Sequence, residues 1–262
     1  MEYIVISAVA LFVSGLTFFS GFGLGTLLMP AFALFVPVEV AIAATAIVHL
    51  ANNLFKLILI GKYAVIKIVI KFAIPAAITA ALGAWLLGYI SDLNFVTSYS
   101  ILGHEYYVTP VKLIISILMT VFALFELVPA LKNFSIKEKY IPLGGLLSGL
   151  FGGISGHQGA LRTAFLIHSG LEKRELIGTM VTCAIIVDFS RILIYGITFF
   201  QRNFIVMQEQ GIYDLIIIGT IAAFLGALIG RRLLDKITLK GIHLTVGIML
   251  LTLALGLGSG LI

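Results

Sequence analysis

The 262-residue chain is 60% hydrophobic and 11% charged, with a formal net charge of +5. A soluble domain is nearer half apolar and a quarter charged, so too few charges remain here to coat a soluble surface of this size. The basic excess would suggest nucleic acid in a soluble protein; here it fits lysine and arginine held in cytoplasmic loops, and no nucleic-acid partner is expected.

The first apolar run, Tyr3 to Phe19, resembles a signal-peptide core but has no basic region before it, Glu2 being the only charged side chain there. It reads as mature membrane sequence. It passes into a glycine-rich stretch, Gly15 and then Ser20-Gly21-Phe22-Gly23-Leu24-Gly25, followed by Pro30. Glycine at this density disfavours a continuous helix, and the flanking apolar pieces are short, about 13–17 residues. A broken helix or re-entrant hairpin is predicted, its break at mid-membrane depth beside protein or a water-filled cavity. Close helix packing through small residues is the other use of such glycines.

Long apolar runs follow at 41–60, 72–90 and 113–131, and a helix needs roughly 20 such residues to cross a bilayer. The charged stretch Lys132–Tyr140 is the most soluble-looking segment of the chain. Beyond it lies a second glycine-rich opening, from Gly144-Gly145 to Gly152-Gly153-Ile154-Ser155-Gly156-His157-Gln158-Gly159, and then further runs, including 215–230 and 242–262. No stretch alternates apolar and polar residues for long, which argues against a membrane β-barrel. The one cysteine, Cys183, excludes an intramolecular disulfide and sits in an apolar run as small packing filler.

The order of features repeats. With the sequence shifted by 134 positions, Ser14-Gly15-Leu16 falls on Ser148-Gly149-Leu150, Gly25 on Gly159, Thr45 on Thr179 and Ile58-Leu59-Ile60 on Ile192-Leu193-Ile194. The expected fold is an all-α integral membrane protein of two repeats, 1–131 and 141–262, joined by a cytoplasmic linker at 132–140. Each repeat is a glycine-broken hairpin or discontinuous helix plus three transmembrane helices.

Loop charges orient it. Lys62, Lys67 and Lys71; Lys132, Lys137 and Lys139; Lys173 and Arg174; and Arg231, Arg232, Lys236 and Lys240 form four basic clusters, whereas the segment around Asp92, His104 and Glu105 has no lysine or arginine. The positive-inside rule places the four clusters in the cytoplasm. Ile141–Gly170 then starts and ends inside, as a hairpin with the His157 turn at its tip, while Pro37–Glu39 lies outside. One hairpin plus three spans per half inverts the second half relative to the first. If Glu172 and Glu175 neutralise Lys173-Arg174 and those pieces span, the halves run parallel.

Polar residues inside such runs are functional candidates. His157, Gln158 and Arg162 follow the second break, and a helix starting near Gly156 would aim free N–H groups at it. With Ser148 and Ser155 they would make a small anion pocket, to which Gly23 and Gly25 of the first break contribute. The alternatives are an Arg162 that snorkels to headgroups and a His157 that caps a helix. Asp188 and Arg191, three apart, can pair as a structural bridge or as a gate or proton-linked pair. In the first half, His49, Asn52, Asn53 and Lys56 recur at helical spacing, so that face should point into the bundle. Thr45 and Thr179 could line the same cavity or bond back to their own helices.

The sequence offers no Walker-type phosphate loop, HExxH stretch or cysteine–histidine ligand cluster, and His49, His157 and His168 are too scattered to mark a metal site. No cofactor is expected, and no nucleophile–base–acid triad can be assembled. An intramembrane enzyme could nominate only Asp188 with His157; a channel or cation permease would favour carboxylates over arginine. The basic excess near the breaks favours a secondary transporter of a small anion, multi-pass in the cytoplasmic membrane, with a homo-oligomer open to it.

The duplicated openings Gly15–Pro30 and Gly144–Gly159, each followed by Ala44-Thr45 or Gly178-Thr179, with later glycine-rich helices around Gly83 and Gly226–Gly230, resemble the TauE/SafE sulfite-exporter family over nearly the whole chain. The resemblance implies movement of small sulfur-containing anions such as sulfite, thiosulfate or sulfonates across the cytoplasmic membrane, most simply as export. Members commonly carry proline after the second glycine-rich segment, where this chain has Ala164.

Overall fold

Ten helices and one β-hairpin make up the described residues of the computed structural model, which covers the chain except 21–22, 94, 102, 129–137, 168, 201–210 and 233–238. Helix α1 spans Glu2–Ser20, α2 Leu24–Ala33, α3 Val38–Ile60, α4 Ile66–Ser91 and α5 Pro110–Leu127. After a short turn at Glu138–Tyr140 come α6 Ile141–Ser155, α7 Gln158–Leu166, α8 Lys173–Tyr195, α9 Ile212–Arg232 and α10 Leu239–Gly258. The 134-residue offset carries Leu24, the start of α2, onto Gln158, the start of α7, and Val38, the start of α3, onto Glu172, the N-cap of α8.

The protein is an all-α, multi-pass membrane protein. Five helical segments, Val38–Tyr63, Ile66–Ser91, Pro110–Leu127, Lys173–Thr198 and Ile212–Arg232, are long and apolar enough to cross a bilayer. Helix α4 shows how sequence divides lipid from core. Ile66, Ile70, Ile74, Ile78, Leu82, Trp85 and Tyr89 form one exposed apolar stripe, while Phe72, Ala73, Ala76, Ala80, Gly83 and Ala84 are buried on the other side. Apolar side chains at the surface are the natural outer face of a helix in lipid, where burial carries no hydrophobic gain and contact is won by close packing.

That packing crosses between the halves. Helix α4 packs on α6 and α8, and α9 packs correspondingly on α1 and α3; α3 also meets α8, and α5 meets α10. Glycines set the spacing. A Cβ on Gly145, Gly149 or Gly153 of α6 would stand 2.2, 2.1 or 2.3 Å from the carbonyl oxygens of Phe72, Ala76 and Ala80, so α6 lies directly on the α4 backbone. A Cβ on Gly226 of α9 would likewise sit 2.2 Å from the Leu11 oxygen of α1. The Thr79 hydroxyl adds a hydrogen bond to the Leu146 carbonyl at 2.8 Å, and Ser190 one to the Ala77 carbonyl at 2.6 Å.

Two kinds of helix end tie the basic clusters together. Lys71 donates to Glu138 at 2.9 Å, which holds the Glu138 carboxyl below its ordinary value, and Arg174 Nη1 lies 3.4 Å from the Tyr63 hydroxyl. The segments just before α6 and just after α7 therefore both lie beside the α3–α4 connection. Glu172 and Glu175 form a capping box at the start of α8, with Glu175 accepting from the Glu172 N–H at 3.1 Å. These two glutamates satisfy free helix donors at the start of α8. At the other end, Thr97–Ile101 and His104–Val108 pair as an antiparallel hairpin, β1–β2, turning through Gly103 at φ 82°. Threonine, tyrosine, isoleucine and valine suit a pleated strand, a local signal that the all-helical expectation passed over. Tyr99 of this hairpin donates to the Ser259 carbonyl beyond α10, and a Cβ on Gly211, before α9, would lie 3.4 Å from the Tyr3 hydroxyl of α1. Most of the expected 132–140 linker, with Lys236 and His168, lies outside the described residues.

Candidate functional site

Both glycine-rich openings are broken. Between α1 and α2 the backbone passes through Gly23 at φ 120°; between α6 and α7 it passes through Gly156 at φ 80°, a left-handed conformation that only glycine adopts at little cost. The breaks meet each other. A Cβ placed on Gly25 would lie 3.2 Å from the Gly156 carbonyl oxygen and 3.7 Å from the His49 ring. Gly145, Gly149 and Gly153 of α6 pack on α4, and Gly144 and Gly152 face Phe165 and Gln158 of α7, so one glycine-rich segment serves both uses foreseen for it.

Around this junction, α3, α7 and α8 assemble a buried polar network centred on Asp188. Oδ1 of Asp188 accepts from Gln158 Nε2 at 2.7 Å and from Arg191 Nη2 and Nε at 2.7 and 3.0 Å. Oδ2 accepts from His49 Nδ1 at 2.6 Å, with the Asn53 amide nitrogen at 3.5 Å. Gln158 links outward again, since its Oε1 accepts from Arg162 Nη1 at 3.1 Å, one helical turn along α7. Arg191 also donates from Nη1 to the Gly152 carbonyl at 3.2 Å, which ties α8 to the last turn of α6. The spacing of Asp188 and Arg191 thus yields the pair it suggested, and His49, 139 positions away, reaches the same carboxylate.

Asn52 and Lys56 lie beside the network. With its amide oriented to satisfy both ends, Asn52 accepts from Lys56 Nζ at 3.3 Å and donates to the Ala223 carbonyl of α9 at 3.2 Å. The polar face of α3 does point inward, with His49, Asn52, Asn53 and Lys56 all buried, while Leu54 and Ile58 are exposed. Arg162, His157, Asp188 and Arg191 are at most 1% exposed, so the site is closed to both sides in this conformation. Arg162 therefore does not snorkel to headgroups, and His157 stands at the N-cap of α7 without making a side-chain cap.

The other candidates divide. Ser148 donates to the Gln158 carbonyl at 2.7 Å and so braces the start of α7. Ser155 bonds back to Phe151 at 2.9 Å, and its own carbonyl receives His157 Nδ1. Thr179 accepts from the Val65 N–H at 3.0 Å, which fixes the entry to α4 and commits its hydroxyl there rather than to the cluster. Thr45 is buried, and among the described residues its hydroxyl has no hydrogen bond to the network. Gly23 shapes its own break, where a Cβ would stand 2.4 Å from Thr17 Cγ2.

Three residues escaped the sequence reading. Tyr195, fully buried, donates to the Gly153 carbonyl; its place four residues after Arg191, on the same face of α8, was the available signal. Ser14, the offset mate of Ser148, approaches Asn52, and Phe122 of α5 stacks on His157 with ring centroids 5.6 Å apart. The 134-residue offset was the signal available for Ser14, whereas Phe122 carries none, because it is brought in by another helix. Among the described residues, no three His, Cys, Asp or Glu side chains converge in a way that could hold a metal ion.

Among the described residues, basic side chains thus outnumber carboxylates in this network at a closed junction of two helix breaks. Lys56, Arg162 and Arg191 are gathered there against the one carboxylate of the network, Asp188. The family model described as sulfite exporter TauE/SafE matches residues 3–257. No curated protein and no solved structure matches the chain.

Proposed function

Matched from residue 3 to residue 257, the chain belongs to the TauE/SafE sulfite-exporter family of membrane transporters, and on that premise we propose that it exports a small sulfur-containing anion (sulfite, thiosulfate or a sulfonate) across the cytoplasmic membrane. The observation that carries this reading is the cationic excess at the meeting of the two breaks. An anion entering a low-dielectric cavity loses its hydration and needs fixed donors and positive charge in return. The first turn of α7 supplies backbone N–H groups, and Arg162 supplies a planar fork suited to two oxygens at once. Gln158 orients that fork, while Asn52, Asn53 and Lys56 complete the wall from the first half.

The halves act as an inverted repeat that rocks around this site. Contacts supporting that topology are those of Lys71 with Glu138 and Arg174 with Tyr63, which gather the ends of the α6–α7 hairpin on one face. The approach of Tyr3 to Gly211 sets the N-terminus beside the opposite ends of the bundle. His49 and Asp188 latch α3 to α8 across the halves, and opening to either side parts or reshapes that latch. The bound anion then offers Arg162 and Arg191 negative charge beside that of Asp188.

Proteoliposomes loaded with labelled sulfite, thiosulfate or methanesulfonate test the reading. Saturable efflux of at least one of them is expected, and it is abolished in Arg162→Gln. A protein that reconstitutes folded and moves none of the three, or an Arg162→Gln variant with unchanged efflux, refutes it.

A further inference from the structure

His157 holds a polar atom that nothing in the fold uses. Its Nδ1 lies 2.9 Å from the Ser155 carbonyl oxygen, which can only accept, so Nδ1 carries the ring hydrogen. The ring also stacks flat on Phe122, at 3° between planes, which together with the Nδ1 contact sets its orientation. In the neutral ring Nε2 is then a bare lone-pair acceptor, buried and without a hydrogen-bond partner among the described residues. Most buried polar atoms are satisfied, and the exceptions concentrate where a ligand or water completes the site. This one stands at the N-cap of α7, where no side chain caps the helix. Donors therefore await oxygens at the same break where one acceptor awaits a hydrogen.

We propose that His157 Nε2 accepts the O–H of a protonated oxyanion, so that the species bound is hydrogen sulfite in its hydroxyl form rather than the sulfite dianion. The inference rests on the sulfur-anion reading and narrows it to one protonation state. The free N–H groups of α7 take the unprotonated oxygens, and the nearby Arg162 and Arg191 balance the single negative charge. A dianion would set its own lone pair against that of Nε2. A sulfonate matches the single charge but is one carbon larger and has no O–H, leaving Nε2 unpaired.

Calorimetry on the intact protein in detergent tests this, at a pH below the second ionisation of sulfite. Hydrogen sulfite is titrated against methanesulfonate in the same buffer. A site that bonds a hydroxyl rejects the analogue lacking it, so the wild type binds hydrogen sulfite about tenfold tighter or more. His157→Phe keeps the aromatic stack and brings the two anions within about twofold of each other, through loss of hydrogen sulfite affinity alone. His157→Gln, which restores an acceptor, keeps part of the preference. Equal binding of the two anions by wild type overturns the assignment, as does a folded Phe variant with the preference intact. Should the Phe variant not fold, the wild-type ratio decides. Failure of folded wild type to bind either anion is a different result: it removes the sulfur-anion reading itself.

Discussion

Asp188 accepts hydrogen bonds from His49 and Asn53 on α3, Gln158 on α7 and Arg191 on its own helix, so one carboxylate joins three helices. Asp188→Asn would leave the Arg191 guanidinium buried without its counter-charge, and breaking a buried pair costs about 3–5 kcal/mol. The expected outcome is a lower thermal midpoint in detergent together with lost transport. Adding Arg191→Gln to Asp188→Asn restores much of the midpoint but not the transport, which a melting series paired with efflux assays would read. Arg162 differs, because the proposed function assigns it to the substrate. Arg162→Lys keeps the charge without the fork and weakens binding partially, whereas Arg162→Gln loses roughly ten- to a hundred-fold in affinity, measured by calorimetry. Asn53→Leu impairs efflux while the protein stays inserted, and Ile58→Ala, at an 83% exposed lipid-facing position, leaves it near wild type. Much of this was legible at the scale of single helices. The spacing of Asp188 with Arg191 and of His49 with Asn52, Asn53 and Lys56 fixes which residues share a face. That His49 ends on Asp188 was not legible, since a one-helix pattern says nothing about which face it will meet.

Helix α6 shows the same boundary between readable and unreadable. Its glycine count announced a departure from ordinary helix, yet only packing separates Gly156, where the chain turns left-handed, from Gly145, Gly149 and Gly153, where α6 stays helical and lies on α4. Composition alone cannot distinguish a break from a close approach, because both need the absence of a side chain. Gly149→Ala places a methyl group 2.1 Å from the Ala76 carbonyl oxygen, which the two backbones can relieve only by moving apart. Overpacking of this kind costs about 1–3 kcal/mol. At Gly196, after α8, a methyl group would meet nothing within 4 Å among the described residues. Thermal unfolding in detergent should therefore show a clear drop for Gly149→Ala and little change for Gly196→Ala.

For the molecule as a whole, the sidedness of the loops is the quantity to measure. Cysteines introduced at 139 and 173 should react with an impermeant reagent from the cytoplasmic side, and one at 105 from the opposite side. Cys183 is buried and gives little background. The inverted arrangement further requires that positions 39 and 172 label from opposite sides, and labelling from one side would make the halves parallel. Charge counting makes a prediction at this level because sidedness depends on a few loop cations. It could not show that α4 seeks the hairpin of the other half, as α9 does in return. That exchange of partners has a consequence in time. Helix α4 is made before α6 exists, and the small-residue face of α1 around Gly15 finds Gly226 only when α9 has been made. Each early helix satisfies its own backbone and can wait in lipid, but the site needs both hairpins and both long helices. A nascent chain arrested before Ser155 thus carries the first hairpin and α3 but neither the second hairpin nor the Asp188 carboxylate that His49 will meet, so an unfinished protein holds only half of the site.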